Sequence, residues 1–511
     1  VEAEQHDAYY WKVIHHLIVN RGYRLLQQQE NEAWLEDEES KPRRILRIVR
    51  ADVDWANWLK RDIVASVSRF ELLRRQLRLN ELIGENLYIS VYPPVDSWEE
   101  LQKPFVANKQ KKTTVYTSLV TREAAAGGEV AVRELVLPAA TAMNSVEEIE
   151  LTVKQLRQEV VERAQSRERE ERQLFLFGKP RMIYVLLALI AVMYWLVEQN
   201  GGSTSVLTLI EFGAKYNPLI IQGEWWRLVS AMFLHIGFLH LFMNSLALFY
   251  LGGAVERMYG TGRFLVIYFI AGVFGSAASF AFNEQVAAGA SGAIFGCFGA
   301  LLYFGTIHKK LFFRTMGKSV LFVLGLNLIF GLTVPMIDNG AHVGGLIGGF
   351  FASAIVHLPK HAKSARQLGA FVLTVISIGG LLWYGMINEQ KAPSALLSLQ
   401  IGQEYLQQEE LVKAYPFLQQ AVENGADMPE APFLLAYAEA MFGNYEEAKQ
   451  LLLEVIQQRA DFHQAHYNLA LIYLELGETE EARASVERAI QLEPNEPMYE
   501  DLYEQITDPP T

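Results

Sequence analysis

The spacing of apolar and polar positions divides this 511-residue chain into three stretches. Up to residue 181 apolar and charged positions mix. From Met182 to about residue 388 long apolar runs dominate, and beyond that the mixing returns. In the first stretch YYWKVIHHLIV (9–19) and VDWANWLKRDIVASVSRFELLRRQ (53–76) repeat apolar residues at helical spacing. RILRIVR (44–50), NLYISVY (86–92) and TTVYTSLVT (113–121) are β-branched or alternating and predict strands. Residues 1–143 therefore read as a soluble α+β domain. Residues 144–181 read as a helical linker, with a charged helix from about Ser145 to Arg172.

Seven apolar segments fill the middle: 182–198, 228–251, 264–282, 288–307, 319–336, 341–358 and 368–387. A spanning helix needs about 20 apolar residues, so these lengths fit or fall slightly short. The connections differ in charge. Arg163, Arg167, Arg169, Arg172, Lys179 and Arg181 precede the first segment; Arg257 and Arg263 follow the second. Lys309, Lys310, Arg314 and Lys318 follow the fourth, and Lys360, Lys363 and Arg366 follow the sixth. The alternate connections NEQ (283–285) and IDNG (337–340) carry no Lys or Arg. The positive-inside rule then sets a cytoplasmic N-terminus and an extracytoplasmic C-terminus.

The last stretch repeats. Gly443 and Gly477, Ala436 and Ala470, and Ala448 and Ala482 are each 34 residues apart. LAYAEAMFGNYEEAKQLLLEVI aligns with LALIYLELGETEEARASVERAI, and IGQEYLQQEELVKAYPFLQQAV from Ile401 keeps the same register. This helical period, with small Gly402, Ala436 and Ala470 and with Pro494, resembles tetratricopeptide (TPR) repeats. Residues 389–511 read as an all-α TPR solenoid of three repeats with a capping helix.

Composition adds three constraints. A formal net charge of −13 argues against nucleic acid as a partner. The single cysteine, Cys297, rules out a disulfide framework within the chain. The acidic run LEDEE contributes Glu36, Asp37, Glu38 and Glu39, weak candidates for divalent-cation ligands that read more readily as a solvated turn.

Within the apolar middle lies GASGAIFG (289–296), a serine between glycines. Ser291 there is either a packing residue or a nucleophile, and a nucleophile needs a base. The sixth segment offers one, because AHVGGLIGGF puts His342 at comparable depth to Ser291. Gly292, Gly296 and Ala300 face Gly345 and Gly349 at four-residue spacing, which lets two membrane helices approach closely. In HIGFLHLFMN, His240 and Asn244 share a helix face and can both donate hydrogen bonds. Donors of that kind, with the backbone N–H of Ser291 at a helix start, are the equipment of an oxyanion hole. Polar groups inside spans are costly and mark function by default.

GASG, AHVGG and HLFMN together resemble the rhomboid intramembrane serine proteases, as do WWR (225–227) and ERMYG (256–260). The resemblance covers about residues 182–358, a six-helix core, with 359–388 as a seventh span. With its flanking domains the chain resembles the bacterial GluP-type rhomboids. The resemblance implies peptide-bond hydrolysis by a Ser–His dyad, Ser291 as nucleophile and His342 as general base, with no triad acid and no cofactor. It implies an oxyanion hole of His240, Asn244 and the Ser291 N–H, supported by Gly289, Gly292, Phe295, Gly345 and Gly349. Phe295 stands where many relatives carry tyrosine against the catalytic histidine. Ring packing is expected to survive that departure.

The expected setting is the bacterial cell membrane, and the expected substrates are membrane proteins whose helices unwind near the outer face. The repeats are expected to hold a peptide or protein partner, and the N-terminal domain a cytoplasmic protein. Asp338 reads as a solvated turn residue, Trp225 and Trp226 as interfacial anchors, and Glu256 and Arg257 as structural charges at the cytoplasmic surface. The competing reading is a membrane adaptor that presents clients without cutting them. A transporter fits less well, since the polar groups gather near one face and paired interrupted helices are missing.

Overall fold

A computed structural model describes all residues except 1, 78, 108–111, 144, 335–336, 362–363, 388–393, 426 and 508–511. Lys363, the start of the linker at Asn144, the end of the fifth apolar segment and the boundary at 388–389 lie outside the described residues. The chain forms two compact units: Val1–Phe175 with Lys310–Thr315, and Leu176–Lys309 with Met316–Thr511.

The first unit is built on a mixed sheet of β1 (Arg24–Gln28), β2 (Glu32–Asp37), β3 (Arg43–Arg50), β4 (Leu82–Ser90), β5 (Phe105–Val106) and β6 (Thr113–Thr121). Its order is β1-β2-β3-β4-β6-β5, with β3, β4 and β6 parallel. A parallel pair needs a crossover, and the helix Ala56–Gln76 provides it between β3 and β4. The central strands are therefore covered on both faces. Leu46, Ile48, Leu87 and Ile89 pack under Tyr10, Ile14 and Leu17 of the N-terminal helix. On the other face Ile45, Val115 and Trp34 meet Phe70 of the crossover helix. Buried Arg47 on β3 is answered by Asp62 at 2.6 Å and Glu32 at 2.8 Å.

Strands β1 and β2 were not expected, because RLLQQ and EAWLED lack clean alternation. Their presence corrects the cation-site expectation. Glu36 points into the sheet, 3% exposed, between Arg24 and Arg43, and burial pushes its carboxyl above the ordinary value. Glu38 pairs with Arg314 at 2.5 Å and with Arg167, Glu39 pairs with Lys310, and Asp37 accepts the N–H of Glu39 at 2.9 Å. Glu36 and Glu38 share Arg24, at 3.5 and 3.9 Å, so their charge is already answered by arginine rather than by an ion. Among the described residues no group of three or more His, Cys, Asp or Glu could hold a metal.

In the second unit five helices are long and apolar enough to cross a bilayer: Met182–Gln199, Gly237–Tyr259, Thr261–Phe282, Asn339–Val356 and Ala365–Ile387. Gly317–Thr333 belongs to a broken apolar pair that would count as a sixth, and Ser291–Ile307 is a shorter apolar helix. The second span starts at Gly237 rather than 228. Residues 227–236 are instead a short helix, a 3-10 turn and an extended link, part of a long connection from residue 200. Apolar composition alone could not separate that connection from the span. Glu256 is fully buried rather than at a surface: its carboxylate accepts the N–H groups of Arg181, Met182 and Ile183 at 2.9–3.0 Å. It thus caps the first span, where orphan donors sit next to apolar surroundings.

The repeats form three helix pairs, Ala395–Gln407 with Leu411–Asn424, Glu430–Met441 with Tyr445–Gln458, and His463–Glu475 with Thr479–Leu492, capped by Pro497–Thr507. A Cβ at Gly402 would lie 2.7 Å from Leu418, which explains the small residue at that register. Each first helix ends in the same turn. Glu410, Asn444 and Glu478 donate their N–H back to Tyr405, Glu439 and Tyr473 at 2.8–2.9 Å. Such a turn needs a left-handed residue. Gly443 and Gly477 supply it at φ +84° and +78°, but the first repeat puts Glu409 there at φ +60°. A left-handed non-glycine costs about 1 kcal/mol. Glu409→Gly is therefore expected to raise the opening free energy of the first repeat by about 0.5–1 kcal/mol, read by amide hydrogen exchange. An unchanged or lower value would contradict the strain argument.

Candidate active site

Ser291 is the first residue of its helix, following Gly289 and Ala290. At 17 residues this helix extends about 26 Å, less than the ~30 Å hydrocarbon core. Helix positions 292–301 are all buried, so protein surrounds it. The non-helical backbone before Ser291 is tolerated at such depth only because protein satisfies it. Lys215 and Ala287 exchange backbone hydrogen bonds at 2.9 and 3.0 Å, and the Gly289 N–H donates to the Ala231 carbonyl at 2.8 Å. The Lys215 ammonium donates to the carbonyls of Asn283 and Gln285 at 2.5 and 2.9 Å. Burial pushes Lys215 down to about 8, opposed by Asp338 and Glu284.

The helix Asn339–Val356 carries His342 against this one. A Cβ at Gly345 would lie 2.0 Å from the carbonyl oxygen of Gly292, and one at Gly349 would lie 2.1 Å from that of Gly296. The backbones are thus in contact through both glycine pairs. At this distance Phe295, one turn after Ser291, stacks on His342 with ring centres 4.1 Å apart and planes 11° apart. The expected ring packing holds with phenylalanine. The Nδ1 of His342 is buried and has no partner among the described residues.

Asp338 is not a solvated residue. It caps the His342 helix by accepting the Ala341 N–H at 2.9 Å, and it accepts a second hydrogen bond from the hydroxyl of buried Ser279. Its carbonyl also accepts the His342 N–H at 3.2 Å. Asp338 therefore orients the start of the histidine helix without contacting the imidazole through a hydrogen bond.

His240 and Asn244 lie beside the serine turn. A Cβ at Gly289 would meet His240 Nε2 at 3.1 Å and Asn244 Nδ2 at 3.7 Å. The Ile236 N–H donates to His240 Nδ1 at 3.3 Å, so in the neutral ring the proton belongs on Nε2, the side facing Gly289. Asn244 Nδ2 is buried with no partner among the described residues. Two donors are therefore aimed at one place, next to the free first-turn N–H groups of the serine helix. His235, in the same motif, also belongs to this wall. It is 1% exposed, its ring lies 5.2 Å from that of His240, and it accepts the Ala290 N–H at 3.5 Å.

The tryptophans divide their work with Arg227. Trp225 and Trp226 are 41% and 51% exposed, as membrane-interface anchors would be, while Arg227 is buried. Its guanidinium donates to the Ile210 carbonyl at 2.6 Å and to Glu224 at 2.7 Å, closing the 210–227 loop. Lys215, Arg227 and His235 were missed as structural partners of the site. For Lys215 the available signal was its place as one of two Lys or Arg residues, with Arg227, in a connection on the charge-poor side.

Comparison with known proteins gives this geometry its context. A rhomboid-domain family model matches residues 222–359, and tetratricopeptide-repeat models match 399–461 and 440–506. The chain is 38% identical over 472 residues to "Rhomboid protease GluP" of Bacillus subtilis (strain 168), covering 91% of both chains. This chain belongs to the rhomboid proteases. The rhomboid is also 41% identical over 206 residues to "RHOMBOID-like protein 6, mitochondrial" of Arabidopsis thaliana, covering 35% of this chain and 66% of the relative. With "RHOMBOID-like protein 5" of that plant it shares 38% identity over 161 residues, 30% and 51% of the two chains. The rhomboid is thus a multi-pass membrane protein and an intramembrane serine endopeptidase with TPR repeats. Its substrates are membrane proteins, and hydrolysis needs no cofactor.

Proposed function

We propose that the rhomboid cuts through a Ser291–His342 dyad. The Ser291 hydroxyl attacks the scissile carbonyl carbon while its proton passes to the His342 ring. The carbonyl oxygen becomes an oxyanion and accepts hydrogen bonds from the Ser291 N–H, His240 Nε2–H and Asn244 Nδ2–H. His342 then protonates the leaving amine, the C–N bond breaks, and an acyl-serine remains. Water, deprotonated by His342, hydrolyses it and restores the hydroxyl. Gly289, Gly292, Gly345 and Gly349 permit the close approach, and Phe295 holds the imidazole plane. The observation that carries this reading is the backbone contact of Gly345 with Gly292, which keeps the histidine helix against the first turn of the serine helix.

The proposed topology has residues 1–143 and the 144–181 linker in the cytoplasm, the core at 182–358, a seventh span within 359–388 and the repeats of 389–511 outside a bacterial cell membrane. Charge on the connections supports it. Substrate helices would be unwound near the outer face, where water reaches Ser291. The repeats would take a peptide or protein ligand, and the N-terminal domain a cytoplasmic protein.

A fluorophosphonate probe tests the nucleophile without knowledge of the substrate. Labelling mapped by peptide mass spectrometry is expected at Ser291, and loss of His342 should suppress it. Absence of labelling in folded protein would favour the adaptor reading; labelling at another serine would move the site.

A further inference from the structure

The first TPR helix, Ala395–Gln407, does not stand apart from the protease core. The Glu404 carboxylate accepts the N–H groups of Val206 and Leu207 at 2.7 and 2.9 Å and the Ser205 hydroxyl at 2.7 Å. Leu397 and Ile401 of the same helix are each 1% exposed and pack with Leu207, Tyr216 and Val286. The Gln285 amide donates to Ser394 at 2.8 Å. One repeat helix therefore touches two segments, 205–216 and 285–286, and these are themselves joined by the Lys215–Ala287 backbone pair. The second segment runs straight into Ser291, five residues after Val286.

We propose that this helix is a strut of the catalytic site and that Glu404 is a positioning residue for Ser291. The inference rests on the dyad reading above. Glu404 fixes the 205–207 turn, the 205–216 loop fixes 283–287 through Lys215, and that segment sets the height and direction of the serine turn. A charged carboxylate taking three donors at once is a strong anchor, because charge-assisted hydrogen bonds exceed neutral ones. Catalysis depends steeply on such placement, since an ångström of displacement costs on the order of a hundredfold. The repeats are thereby coupled to the chemistry, and a ligand that shifts the first repeat changes turnover at Ser291.

The test uses the full chain in proteoliposomes with a tagged single-span substrate. Glu404→Lys sets an ammonium against three donors, whereas Glu404→Gln keeps an accepting oxygen. The lysine variant is expected to lower kcat about tenfold with KM within about twofold, and the glutamine variant to stay within about threefold of wild type. Amide exchange should quicken at 205–208 and also at 283–290. Unchanged kcat, or exchange quickened at 205–208 alone, overturns the strut. An equal loss in both variants reduces Glu404 to a structural role and also overturns it. Should the lysine variant fail to fold, Glu404→Ala poses the same question by deletion. Wild-type protein that takes no fluorophosphonate at Ser291 fails the dyad, while the exchange measurement, which needs no activity, still decides the strut.

Discussion

Ser291→Ala and His342→Ala are each expected to lower the cleavage rate by about 10⁴-fold or more, and the double variant should be little worse than either. In the proposed dyad the two groups work on one proton. Without the base the hydroxyl stays a weak nucleophile; without the hydroxyl the base has nothing to activate. Whatever rate remains would come from substrate placement and the donors of His240 and Asn244. Substrate capture should survive in both single variants, since neither side chain builds the 205–236 connection. Cleavage of a tagged substrate, followed by immunoblot with protein amounts matched, measures this. Full activity in either variant would remove that residue from the chemistry, and strictly multiplicative losses would argue against a shared proton.

Gly345→Val carries the next largest effect. Its Cβ would sit 2.0 Å from the Gly292 carbonyl oxygen and 2.9 Å from the Gly292 Cα. These are backbone atoms that no rotamer change can move. The helices must separate, at an overpacking cost of about 1–3 kcal/mol, and the serine and imidazole separate with them. We expect a loss of activity on the order of a hundredfold beyond the fall in folded protein. Gly325→Val is the matched control, because a Cβ there meets nothing within 4 Å. Thermal unfolding in detergent and cleavage per folded molecule check both. Equal behaviour of the two variants would mean that the glycine contact does not govern the site.

The site was legible in the sequence to the extent that its groups recur at fixed intervals. His240 with Asn244, Gly292 with Gly296 and Gly345 with Gly349 are four apart, and helical geometry converts that interval into a shared face. The packing of Phe295 on His342 was readable for the same reason. What was not legible depends on non-local backbone. Lys215 gains its meaning from the carbonyls of Asn283 and Gln285, and neither sequence shows which carbonyls lack partners. Asp338 looked like a turn residue until Ser279, 59 positions away, met it. In the N-terminal unit the predicted strands at 44–50, 86–92 and 113–121 are the buried central ones, where β-branched residues are packed. The edge strand β1 and its neighbour β2 carry too many polar residues to stand out, and LEDEE hid the end of β2.

The bonds of Glu404 to Ser205, Val206 and Leu207 link positions up to 199 residues apart. During synthesis every span and the serine turn emerge before the helix that braces them. A nascent rhomboid thus carries Ser291 for the time needed to make and fold the repeats, while residues 205–207 still lack the Glu404 carboxylate. Chains proceed from the N-terminus at about 5–20 residues per second. On the strut proposed above, docking of the first repeat completes the site, and a chain that stops short of Glu404 stays unbraced.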